Sequence, residues 1–201
     1  MQFKALPTVT VIKKEEKEAK LKAFIADHFA RRDGAASGHA SDRVYLLVAR
    51  SHESPVVRAI AGAIAESGAT DIALKALVLV PGSHPGNTWP ANLAEMTDVR
   101  TSGDIRLLDA HEQLWLDAET VWIGDCMRRE PSKRDAYECY AYGCEATANS
   151  VEAAFNRLWD KGHAIVIEAD EISPAEAAAV DPHLAHVTQS EPVAPTASTR
   201  H

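Results

Sequence analysis

The chain has little cysteine, few aromatic residues and no excess of positive charge over its 201 residues. Its three cysteines, Cys126, Cys139 and Cys144, form none of the Cys-x-x-Cys pairs that structural zinc sites favour. An odd and sparse set of cysteines also argues against a secreted disulfide framework and for reduced thiols in a cytosol. We therefore expect neither a metal site nor a bound cofactor.

Long apolar runs are absent as well. No stretch approaches the roughly 20 apolar residues of a membrane-spanning helix. Residues 1–17, MQFKALPTVTVIKKEEK, lack the basic start and the sustained apolar stretch of a secretory signal. We expect a cytoplasmic location without membrane association, and the formal net charge of -8 disfavours indiscriminate binding of nucleic acids.

Apolar residues make up 46% of the chain, which is enough to form the core of one domain with tails. In residues 13–32 apolar side chains recur at helical spacing, which predicts an amphipathic helix that packs on the domain or on a protein partner. We interpret residues 1–42 as an N-terminal segment that ends in a small, polar connector. Residues 171–201 are rich in Ala, Pro, Ser and Thr and predict a disordered tail.

Residues 43–170 form the predicted domain. VYLLVA at 44–49 is typical of a strand covered on both faces, and a helix follows between the capping residues Ser54 and Gly68. Residues 81–103 predict a long connection with one helical turn. Further strands are predicted in DIALKALVLV, DIRLLD, QLWLD, TVWIGD, ECYAYGC and HAIVIEA, with a helix capped by Asn149 before the last of them. The fold class expected is α/β, with a mixed, mainly parallel sheet flanked by helices.

One series of residues carries a resemblance. His111 ends a predicted strand, Asp117 follows six residues later, Gly124 follows a hairpin, Glu138 begins the next strand, and FNRLW closes the domain at 155–159. This order resembles one domain of the phospholipase D superfamily, whose signature is H-x-K-x4-D, then Gly-Ser and Asn, a strand-initial Glu and a closing helix with Phe-x-x-Leu-Trp. The resemblance implies that His111, Gln113, Asp117 and Glu138 occupy catalytic positions, with the histidine attacking phosphorus.

The departures from that signature concern the groups that stabilise charge. The signature lysine is Gln113, the spacing to Asp117 is one residue short, and residues 124–127 read Gly-Asp-Cys-Met in place of Gly-Ser-x-Asn. Phosphoryl transfer depends on fixed donors and cations around the phosphate oxygens, and Asp125 near a phosphate adds repulsion. We therefore expect a catalytically degenerate binding or assembly module. A single signature implies a homodimer, since in the superfamily two signature histidines face each other across a twofold axis.

Two alternatives stay open. The chain is a phosphodiesterase or nuclease if His111 is the nucleophile, Glu138 orients it, and Arg128 or Lys133 replaces the lost lysine. It is a non-cleaving binder of nucleic acid or small anions if the basic residues after Gly124 hold phosphate groups, namely Arg128, Arg129, Lys133 and Arg134. A solvated loop, in which these basic residues pair with neighbouring acids, is the competing interpretation of that segment.

Overall fold

The computed structural model describes residues 7–34, 43–79, 88–102, 111–126 and 135–170. The predicted strand at 104–109, the basic residues Arg128, Arg129, Lys133 and Arg134, most of the predicted connector and the tail 171–201 lie outside these described residues. The elements in chain order are β1 (Thr8–Lys13), a 3-10 turn (Lys14–Glu16), α1 (Lys17–Gly34), β2 (Arg43–Ala49), α2 (Pro55–Ser67), β3 (Ile72–Val78), β4 (Thr88–Pro90), α3 (Ala91–Ala94), β5 (Thr97–Thr101), β6 (Gln113–Trp115), β7 (Val121–Ile123), β8 (Asp135–Ala141), α4 (Glu145–Trp159), β9 (His163–Ala164) and β10 (Glu168–Asp170).

The main sheet has eight strands in the order β1-β8-β7-β6-β2-β3-β5-β9, and β4 pairs separately with β10. Within the main sheet β2 and β3, and β3 and β5, run parallel, whereas the other neighbouring strands run antiparallel. The predicted mixed sheet is confirmed, but the expectation that parallel pairing predominates is wrong for the described strands. The short connection 116–120 allows only antiparallel pairing of β6 with β7, and β1, not assigned from the sequence, adds another antiparallel pair.

Helices cover both faces of this sheet. Tyr45 and Leu47 of β2 belong to the core formed with α1 and α2, while Leu46 and Val48 pack with Phe155 and the rest of the α4 face. Side chains alternate between the faces of a strand, so a continuously apolar strand such as β2 is buried on both sides. The prediction of an α/β fold with flanking helices is confirmed. Among the described helices none is long and apolar enough to cross a membrane.

The N-terminal helix belongs to this core. Leu21, Phe24, Ile25 and Phe29 are buried in the same apolar cluster as α2 and β2. The predicted amphipathic helix is confirmed, and its apolar face packs on the domain. A protein partner bound through the helix at residues 13–32 stays a prediction. Both β1 and α1 lie in the same compact unit as the rest of the described chain.

Two local predictions need correction. Helix α4 begins at Glu145, because the Cys144 carbonyl already accepts the N–H groups of Thr147 and Ala148. Asn149, the predicted cap, therefore lies inside the helix. The connection 81–103 contains β4, α3 and β5, the last of which joins the main sheet beside β3. Around α2 the helix bounds agree with the sequence, and Gly68 ends it with φ at 66°.

Candidate functional site

Strand register brings two glutamates to one face of the sheet. The N–H of Gly124 donates to the carbonyl of Glu112 (2.8 Å), just beyond the Gln113–Ile123 pair of β6 and β7. Ile123 pairs with Cys139, so Gly124 lies beside Glu138, which in turn pairs with Thr10 of β1. Directly paired residues share a face of a sheet. Glu112, Gly124 and Glu138 therefore form a row on the face that α1 covers.

Lys17, the first residue of α1, reaches into this row. Its Nζ lies 3.1 Å from Glu112 Oε2 and 3.5 Å from Glu138 Oε1, and the three side chains are 12%, 9% and 0% exposed, in that order. The same ammonium lies 5.0 Å from the centre of the Trp122 ring. Glu112 Oε1 also accepts the backbone N–H of Arg50 at 3.3 Å. One partly buried cation thus faces two buried carboxylates. We call these three residues the Lys17–Glu112–Glu138 cluster.

Gly124 makes room for this cluster. A Cβ atom at position 124 would lie 2.6 Å from Trp122 Cη2 and 3.3 Å from Lys17 Nζ. The indole ring and the lysine therefore occupy the space that any larger residue would need. Asp125 follows with φ at 48°, a left-handed conformation that is uncommon outside glycine. The glycine that matches the superfamily signature thus has a direct packing role.

Burial dominates the electrostatics of Glu138. Desolvation raises the pKa of its carboxyl group above the ordinary value of 4.5, and Lys17, the backbone N–H of Asp125 and the indole N–H of Trp122 offset only part of this effect. Neither carboxylate oxygen has a hydrogen bond of good geometry. Burial, followed by the charge of Glu138, also raises the pKa of the Cys126 thiol. Cys126 is therefore held in the thiol form, which is a poor nucleophile.

Gln113 lies on the other face of the sheet. It pairs with Val48 of β2 and Ile123 of β7, in the row that continues to Cys139. Gln113 and Glu138 occupy adjacent rows and so point to opposite faces. The structure does not bring these two predicted site residues together. His111 lies two residues before β6 and is partly buried.

Asp117 lies at the far end of β6 from Glu112. Its Oδ1 accepts the backbone N–H of Glu119 at 2.8 Å, which stabilises the turn between β6 and β7. Its Oδ2 lies 3.6 Å from Nδ1 of the buried His28. The structure therefore places Asp117 at a turn and beside α1, away from the Lys17–Glu112–Glu138 cluster. The four predicted basic residues between 128 and 134 lie outside the described residues.

Sequence reasoning missed Lys17 and Glu112. A signal for Glu112 was present, because it alternates with Leu114 and Leu116, both of which are buried on the face that α1 covers. No local pattern relates Lys17 to a residue 95 positions away. In the part of the chain that the structure describes, no group of three or more His, Cys, Asp and Glu side chains is arranged to hold a metal ion.

No protein-family model matches the chain, and no curated protein sequence matches it either. Solved structures do match its fold. The crystal structure of Nuc from Salmonella typhimurium, a phospholipase D family member, has a TM-score of 0.53 at 13% identity, over 80% of this chain and 99% of that chain. NucT from Helicobacter pylori has a TM-score of 0.48 at 11% identity, over 80% and 100% of the two chains. TrmBL2, an archaeal chromatin protein described with a novel mode of DNA binding, has a TM-score of 0.47 at 12% identity, over 79% and 55%. The likeness to Nuc shows a phospholipase-D-like fold, as the order of motifs predicted.

Proposed function

We propose that this chain is a catalytically degenerate phospholipase-D-like protein that acts as a binding or assembly module in the form of a homodimer. The observation that carries the proposal is the engagement of Lys17 with Glu112 and Glu138. A partly buried cation near the matched motif is the kind of group that a phosphodiesterase would use on its substrate. Here that cation is already paired with two carboxylates of the same chain.

The charge of the cluster opposes phosphate binding. One ammonium and two carboxylates leave a net negative charge when all three groups are ionised. A like charge about 4 Å away costs on the order of 4 kcal/mol at an effective dielectric constant of about 20. An incoming phosphodiester would meet that repulsion without a free cation among the three groups. The cluster therefore supports a structural role better than phosphoryl transfer.

The placement of the motif residues supports the same conclusion. Glu138 faces Lys17 and Trp122 beneath α1, while Gln113 points to the opposite face of the sheet. Asp117 is bound into the β6–β7 turn. Catalysis of phosphoryl transfer requires donors and cations that converge on one set of oxygen atoms. Gln113, Asp117 and Glu138 do not converge in this way.

The proposal is tested by hydrolysis of bis(p-nitrophenyl) phosphate, a generic phosphodiester, in the presence of a chelator. We expect the wild-type protein and the His111→Ala variant to show the same rate as buffer. His163→Ala, which removes an exposed histidine of β9, is the matched control. Turnover by the wild type and by His163→Ala that disappears in His111→Ala would overturn the proposal in favour of a phosphodiesterase with His111 as nucleophile.

The homodimer is tested separately by light scattering. We expect twice the chain mass of 21.8 kDa at micromolar concentration. A monomer under these conditions contradicts the dimeric part of the proposal and leaves the hydrolysis result to decide the rest.

A further inference from the structure

Helix α1 is held to the domain by two different sets of contacts. Charges anchor its N-terminal half, where Lys17 contacts Glu112 and Glu138. In the same half Lys22 Nζ lies 2.6 Å from Glu66 Oε1 of α2. Aromatic rings and one buried histidine hold the C-terminal half. The two halves of the helix therefore depend on different chemistry.

The buried histidine, His28, lies between α1, β2 and the β6–β7 turn. It is 4% exposed, and its ring meets the rings of Phe29 and Tyr45 edge-on, with centroids 6.0 and 5.9 Å away. Its Nδ1 lies 3.6 Å from Asp117 Oδ2, which is too far for a hydrogen bond. Its Nε2 is buried and has no hydrogen-bond partner among the described residues. The pocket thus offers an imidazolium no acceptor of good geometry for either N–H.

The charged groups around His28 also disfavour the imidazolium. Three arginines, two on α1 and one on β2, oppose a further positive charge, namely Arg31, Arg32 and Arg43. Asp117 on the turn favours one, but its side chain is 38% exposed, so water screens its attraction. Tyr45 supplies no negative charge, because burial raises the pKa of its hydroxyl group to about 12. Burial outweighs Asp117 and lowers the pKa of His28 below its ordinary value of 6.5.

We propose that His28 is a pH-sensitive switch that keeps the C-terminal half of α1 on the sheet at neutral pH and releases it in acid. In the closed segment 28–34 the imidazole stays neutral. In the open segment it lies in water and binds a proton with the ordinary pKa of 6.5. A proton that only the open form takes up shifts the equilibrium towards that form. The switch is a property of one chain, so it is independent of dimer formation and of phosphoryl transfer.

The release should be confined to the C-terminal half of α1. Phe29 is the last buried residue of this helix among those whose side chains are described. Beyond it the guanidinium of Arg31 lies 4.2 Å from the centre of the Tyr142 ring. Segments with few buried apolar contacts open locally at low cost. Acid stabilises the N-terminal half instead, because burial raises the pKa of Glu138, which there faces Lys17.

Hydrogen exchange at the amides of α1 tests the switch. Between pH 7.5 and 5.5 the opening constant of segment 28–34 should rise by up to about tenfold, the limit for one proton bound only by an open form with a pKa of 6.5. Protection factors, corrected for the intrinsic exchange rate at each pH, should fall by that factor at amides 30–34 and should not fall at amides 21–25. Constant or rising protection at 30–34 overturns the proposal, and a rise would mean that an imidazolium pairs with Asp117. An equal fall at both sets of amides also overturns it, because the helix then opens as one unit.

Variants separate His28 from other titrating groups. His28→Gln places a neutral amide in the pocket, and His28→Phe fills it with an apolar ring, so neither can take up a proton. In both variants amides 30–34 should show the same protection at the two pH values. His163→Gln removes an exposed histidine of β9 and is the matched control, which should keep the fall in protection seen in the wild type. A fall that persists in both His28 variants assigns the pH dependence to another group and overturns the proposal.

Discussion

Removing the ammonium of Lys17 should destabilise the protein strongly. Lys17→Met keeps most of the apolar stem and leaves Glu112 and Glu138 buried without their cation. Breaking a buried ion pair by removal of one partner costs about 3 to 5 kcal/mol. Lys17 is slightly exposed and Glu138 can take up a proton, so we expect the lower limit, about 3 kcal/mol near neutral pH.

The pH dependence of this loss has a defined sign. Because burial raises the pKa of Glu138 in the folded state, the folded protein binds a proton there more readily than the unfolded chain. Stability therefore falls as pH rises from the unfolded value of 4.5 through the raised folded value. Without Lys17 the folded pKa rises further, since the lysine lowers it in the wild type. The destabilisation in Lys17→Met should accordingly be small in acid and grow towards neutral pH.

Urea unfolding followed by circular dichroism across this pH range measures the effect. Lys20→Met is the matched control on the same helix, because Lys20 pairs with Glu16 at 3.6 Å with both side chains about half exposed. Exposed pairs contribute about 0.2 to 1 kcal/mol, so the control should change little. Adding Glu138→Gln to Lys17→Met should restore much of the stability. If Lys17→Met and Lys20→Met lose the same free energy of unfolding, the Lys17–Glu112–Glu138 cluster is not energetically coupled and the reasoning fails.

Three further predictions concern other parts of the chain. Burial, together with nearby arginines, lowers the pKa of His28 below 6.5. Because the unfolded chain then binds a proton at this residue more readily than the folded protein, the folded protein should lose stability as pH falls below 6.5. An NMR titration of the imidazole with a midpoint above 6.5 would contradict this. Gly124→Ala should lower the free energy of unfolding by about 1 to 3 kcal/mol, because the added Cβ would collide with the Trp122 ring. The control is Gly62→Ala in α2, where the added Cβ meets only a flexible lysine side chain and the change should be neutral or stabilising. Equal melting temperatures for the two variants would refute the packing argument. Labelled DNA should show no binding in fluorescence anisotropy even at low salt, and a steep loss of affinity with added salt would instead support the basic residues at 128–134 as an anion site.

Much of the fold follows from local sequence. β2, α2 and β3 were predictable because a continuous apolar strand, a helix between Ser54 and Gly68, and a second apolar strand occur in succession. β1 and β5 were not predictable in the same way. TVTVIK exposes its valines on one face, and TDVRT contributes only Val99 to the core. Both strands are held by pairing with neighbours distant in sequence, which local periodicity does not contain.

The candidate site depends on strand register more than on motif spacing. At the start of β6 the resemblance selects His111 and Gln113, but Glu112, which lies between them, is the residue that contacts Lys17 of α1. A shift of one residue exchanges the two faces of a strand, so a motif match alone does not fix which side chains meet. The resemblance selects Glu138 as a catalytic position, and its partner Lys17 comes from a helix 121 positions earlier, as the ion pair shows. The same contact fixes Lys17, and with it the first turn of α1, beside two carboxylates that the sequence places far from it.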